Sequence, residues 1–146
     1  MLEIIATIFI GLLGGISVGL QGPIAGAMSQ RVGGTGSSLV VHVSGAILSG
    51  LLLLVRGGEG IQNWRSLPWY MLGSGVFGVI LYLTLTHTLP RLGATTAVTL
   101  IIVGQLLMGM TIDHFGWFGV AVRPVDGWRV AAAGLLFAGG YLMVKG

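Results

Sequence analysis

Residues 4–29, IIATIFIGLLGGISVGLQGPIAGAMS, contain no charged side chain, and Glu3 and Arg31 bound the stretch. A bilayer core about 30 Å thick takes roughly 20 apolar residues at about 1.5 Å rise each, so this run is long enough to cross. The same count applies further along. Residues 37–55 are uncharged up to Arg56, 66–90 lie between Arg65 and Arg91, and 92–112 end at Asp113. Residues 130–144 run from Arg129 to Lys145, with Trp128 and Lys145 as interfacial anchors. The pattern predicts an all-α membrane protein with five transmembrane helices, at about 3–29, 37–55, 68–88, 94–112 and 128–144, in a single domain over 1–146.

Composition excludes the alternatives. Of 146 residues, 54% are hydrophobic and 27 are Gly, while 8% are charged against about 25% in a soluble domain. Mean hydropathy is +0.96. A water-facing surface cannot be built from such a chain. The pI near 10 rests on a surplus of three charges, with no Lys/Arg cluster, so no nucleic-acid partner is expected. There are no cysteines, so disulfides, thiol catalysis and cysteine metal sites are excluded. The amino-terminal run carries Glu3 in place of a basic region and is too long for a cleaved signal, so it reads as an uncleaved span.

The expected connections carry turn residues. Gly33-Gly34-Thr35-Gly36 joins the first two spans, Gly57 to Leu67 the second and third, and Leu89-Pro90-Arg91-Leu92-Gly93 the third and fourth. Pro68 suits the first turn of the third helix, and 113–127 is the longest polar connection. With five crossings the termini lie on opposite sides. Arg56, Arg65, Arg123 and Arg129 then face Arg31, Arg91 and Lys145, a bias of four to three. So weak a bias fits either one loosely specified topology or insertion in both orientations with pairing to an inverted copy.

Gly11, Gly15 and Gly19 recur every fourth residue, as do Gly22 and Gly26, the small-xxx-small spacing that lets helices approach closely in lipid. Packing within one chain, a dimer seam and a substrate wall are all compatible with it. Gly22-Pro23 removes a backbone hydrogen bond and predicts a kink beside Gln21. Polar groups within spans are candidate sites. Gln21, His42, His87 and Gln105 are the candidate cavity residues, with helix bridging (Gln) and neutral packing (His) as the structural alternatives. Asp113-His114, where the fourth helix ends, suits a gate or a coupling pair, or simply a helix end among headgroups. The spans hold no deep acidic residue. The sequence has no nucleotide-binding Gly-rich Lys motif, no HExxH and no GxSxG. No catalytic residue, metal or cofactor is expected.

Gly19-Leu20-Gln21-Gly22-Pro23-Ile24 with Arg31-Val32-Gly33 resembles the first helix of the YdcZ-like inner-membrane exporters, five-helix half-size members of the drug/metabolite transporter superfamily related to EamA-type transporters. His42-Val43-Ser44-Gly45-Ala46, Pro90 to Ala94, Gly104-Gln105-Leu106 and Ile112 to Gly116 are similar to its later motifs, in order. Family members often carry Asn four residues after the first-helix Gln, where this chain has Ala25, which implies a different or less polar site. The resemblance implies half of an inverted-repeat ten-helix transporter in a bacterial inner (cytoplasmic) membrane. It implies an exporter of a small molecule, working as an antiparallel homodimer or with a paralogous partner in a heterodimer. The alternative is a non-transporting membrane subunit that stabilises a partner membrane protein.

Overall fold

The computed structural model describes residues 2–145. Among the described residues there are helices and turns and no strand. The α-helices are α1 (Leu2–Val55), α2 (Trp69–Leu72, a single turn), α3 (Gly75–Phe115) and α4 (Gly127–Lys145), with 3-10 turns at Ile61–Ser66 and Trp117–Gly119. Three runs, Leu2–Val55, Trp69–Phe115 and Gly127–Lys145, are long and apolar enough to cross a membrane. Large apolar side chains such as Leu12, Ile47, Phe77 and Leu135 point outward. That is the expected surface where lipid is the solvent.

The connections are tighter than the turn residues suggest. In place of a four-residue loop at 33–36, α1 breaks at Gly33 alone (φ 79°, ψ 160°) and resumes at Gly34. In place of a turn at 89–93, α3 runs helically through Pro90 and breaks at Gly93 (φ 77°, ψ 165°). These two dihedral pairs nearly coincide, and both breaks sit in Arg-x-Gly-x-Thr, at Arg31–Thr35 and Arg91–Thr95. Positive φ with ψ near 160° is accessible essentially to Gly alone, so one residue turns the chain and its neighbours remain helical. Pro23 lies in α1 with helical dihedrals around it. The backbone discontinuity of that helix is at Gly33, not at Pro23. Pro68 stands just before α2, and α3 begins at Gly75, later than the third predicted helix. α3 extends to Phe115, so Asp113 and His114 belong to its last turn. α4 lies within one residue of expectation at each end.

The chain divides between Thr88 and Leu89 into two compact units. In the first unit the two arms of α1 are tied by the buried Ser37 hydroxyl, which donates to the Ala25 carbonyl (2.8 Å). A Cβ on Gly22 would meet Leu85 at 3.7 Å, and one on Gly34 would meet Thr86 Oγ1 at 3.0 Å. Gly34 is thus small for packing, whereas Gly33 is Gly for its dihedrals. In the second unit α4 runs antiparallel to the arm after Gly93. Thr96 donates to the Met143 carbonyl (3.1 Å), a Cβ on Gly140 would meet Thr99 and Val103 at 3.5 Å, and Asp113 meets Arg129.

Candidate functional site

The sequence-selected residues separate into distinct settings. In the first unit, His42 Nδ1 lies 2.7 Å from the Ser38 carbonyl, an oxygen that can only accept. Nδ1 therefore carries a proton and donates it to that carbonyl. The ring packs edge-on to Tyr82, centroids 5.4 Å apart. Tyr82 is 6% exposed, and its hydroxyl has no hydrogen-bond partner among the described residues. A buried hydroxyl left unpaired costs about 1–3 kcal/mol, so this phenol marks a polar position without a protein partner. Sequence reasoning missed Tyr82, because an aromatic in an apolar span reads as core. His87 is exposed and lines a hollow with Ile80, Leu83 and Thr84 that does not include His42. Gln21 is exposed beside the buried Gly22.

The glycine series divides as well. Gly22 and Gly26 are buried. A Cβ on Gly11, Gly15 or Gly19 would meet nothing within 4 Å.

The second unit holds a groove of about 540 Å³ lined by Ile102, Gln105, Leu106, Met110, Asp113 and Arg129. Gln105 and Asp113 share it because eight residues make about two helical turns. Their third polar companion is Arg129, which in the sequence is only a charge at the edge of a span. Its placement follows from local chemistry. Asp126 Oδ1 accepts the Arg129 backbone N–H (2.8 Å), an N-cap that starts α4 and fixes Arg129 in its first turn. Arg129 Nη1 then donates to Asp113 Oδ2 (3.0 Å), with both side chains about a third exposed. The Arg123 N–H donates to the Asp113 carbonyl (2.8 Å), which draws the connecting segment back over the end of α3.

His114 turns elsewhere. It lines a different hollow, and its Nδ1 accepts the Val125 N–H (3.1 Å), so Nε2 carries the ring proton. Asp113 and His114 are adjacent in sequence but hold two separate contacts of one clasp.

Comparison with known proteins identifies what carries this groove. The sequence profile of the family described as "Putative inner membrane exporter, YdcZ" matches residues 6–142. The chain belongs to the YdcZ family. It is similar to the "Inner membrane protein YdcZ" of Escherichia coli (strain K12), at 24% identity over 137 residues, 89% of this chain and 91% of that protein. No solved structure matches the chain. Membership in the YdcZ family, with three apolar runs long enough to span, makes this a multi-pass inner-membrane protein of the membrane-transporter kind.

Proposed function

We propose that this protein exports a small molecule, with the groove beside Gln105 and the Asp113–Arg129 pair as part of the translocation site. The observation that carries the reading is the groove itself, an apolar wall with an amide at one end and an ion pair at the other. Cavities of roughly 300–1,000 Å³ with few convergent polar groups are characteristic of small-molecule sites. Gln105 is the cavity residue with the most direct support. Gln21, His42 and His87 belong to the first unit and are proposed there as polar positions that meet substrate. Asp113 acts as a gate through Arg129, and His114 holds the connecting segment through Val125.

Five crossings are part of the proposal. A 54-residue helix would be about 80 Å long, against a bilayer core of about 30 Å, so α1 must cross more than once. The break at Gly33 separates two arms of α1, and the matching dihedrals at Gly93 support a second break of the same kind in α3. An odd number of crossings makes an inverted second copy the natural complement, the arrangement in which inverted repeats give alternating access to a midplane site. The near-balanced charge count and the open Gly11, Gly15, Gly19 face favour such pairing. That face suits a stabilising subunit equally well, so flux is the deciding measurement. Purified protein in liposomes should move substrate unaided, and Gln105→Leu should keep the fold and lose flux. A chain that assembles but moves nothing across a metabolite screen would be the subunit instead.

A further inference from the structure

The ion pair in the groove is joined by a single contact, Asp113 Oδ2 to Arg129 Nη1. Arg129 Nη1 also reaches the Arg123 carbonyl at 3.5 Å. The second carboxylate oxygen and the rest of the guanidinium fork remain for a ligand, and each side chain keeps about a third of its surface exposed. A neutral pair in a groove walled by apolar side chains discriminates by charge. A monovalent cation gains from Asp113 and loses to Arg129, and an anion does the reverse. A head group with both charges meets both partners. Eight residues away, about 12 Å along the axis, stands Gln105, and between them Leu106 and Met110 offer only apolar surface.

We infer that this groove binds an amphiphile of zero net charge, a zwitterionic head on an apolar body of about 12 Å, with Asp113 and Arg129 as the head-group site. The inference rests on the exporter reading and adds a substrate class to it. A free solute and a phospholipid can both supply such a head, and the two share this chemistry.

The test uses the full chain in nanodiscs and three probes of nine- or ten-carbon tails: decyl-dimethylglycine (zwitterion), decyltrimethylammonium (cation) and decanoate (anion). The wild type should bind the zwitterion about tenfold more tightly than either ion. Asp113→Asn should shift the preference to decanoate, and Arg129→Gln to the cation. An unchanged order of affinities in both variants overturns the inference. If the single variants fail to fold, a photoreactive zwitterion on the wild type decides. Labelling within 102–113 and 127–132 supports the site, and labelling elsewhere overturns it. Nanodiscs of phosphatidylglycerol with a trace of phosphatidylcholine separate the sources. Co-purified phosphatidylcholine displaced by the probe identifies lipid, and probe binding without it identifies a free solute. Flux is scored separately. The predicted charge order without flux retires the exporter reading alone, and flux without that order retires this inference alone.

Discussion

His42 Nε2 lies 2.8 Å from the point a Cβ on Gly78 would occupy. Real Cβ atoms do not come so close, so Gly at 78 is what allows the imidazole to lie across α3. The ring cannot simply swing away, since Nδ1 is held by the Ser38 carbonyl and the edge is packed on Tyr82. Gly78→Ala should therefore destabilise the first unit by about 1–3 kcal/mol through overpacking. His42→Ala should relieve most of that loss in the double variant. Thermal unfolding of the four proteins in one detergent measures the coupling.

Tyr82→Phe separates structure from function at the same place. The hydroxyl has no partner among the described residues, so its removal should leave thermal stability unchanged or slightly raised. If the phenol meets substrate or its water, flux should fall while the fold persists. A drop in stability without loss of flux would mean that the hydroxyl bonds within the protein.

Gly33→Ala and Gly93→Ala test the breaks. At either position a Cβ would meet no atom within 4 Å, so steric crowding is not the issue; the dihedrals are. Each substitution should cost about 1–3 kcal/mol, because this region of φ/ψ is nearly closed to other residues. Gly11→Ala, in a regular helix with open space around it, should instead be neutral or stabilising by up to about 1 kcal/mol in an isolated chain. Chemical denaturation of the three variants gives the contrast.

These positions also show what the sequence made legible. Uncharged runs located the apolar segments, since lipid permits few other patterns. Gly33-Gly34-Thr35-Gly36 reads as a four-residue turn because composition cannot say which glycine serves dihedrals and which serves packing. Leu89 to Gly93 reads as one tight turn, yet the helix continues through Pro90 and breaks only at Gly93. The Arg-x-Gly-x-Thr repeat at both breaks was the signal that could have located them. Gln105 and Asp113 were legible as one face from their spacing. Arg129 was not, because its carboxylate partner is sixteen residues away and is reached only once Asp126 caps α4.

Gly15→Leu addresses the open glycine face. A Cβ there meets nothing within the described chain, so the monomer should tolerate the side chain. A loss of oligomer on size-exclusion light scattering, with helicity retained, would assign the face to a second chain. Unchanged assembly and flux would assign it to lipid.

The orientation of the chain is the last test, and it follows from the charge count. Under five crossings, Arg31, Arg91 and Lys145 oppose Arg56, Arg65, Arg123 and Arg129. Lys and Arg near span ends set orientation, so a difference of one should leave both orientations populated. Val32 and Thr35 flank the first break and are exposed, so Lys at both adds two charges to the weaker side with little packing cost. The count becomes five to four in the opposite sense. Reporters fused to the carboxyl terminus should be active on both sides of the membrane for the wild type and mainly on the cytoplasmic side for the double Lys variant. That variant alone should lose flux, because an inverted pair needs both orientations. Co-expression with a chain biased the other way, by Lys added in the exposed 57–60 segment, should restore it. A wild type found in one orientation that still transports alone would remove the inverted homodimer and leave a parallel assembly.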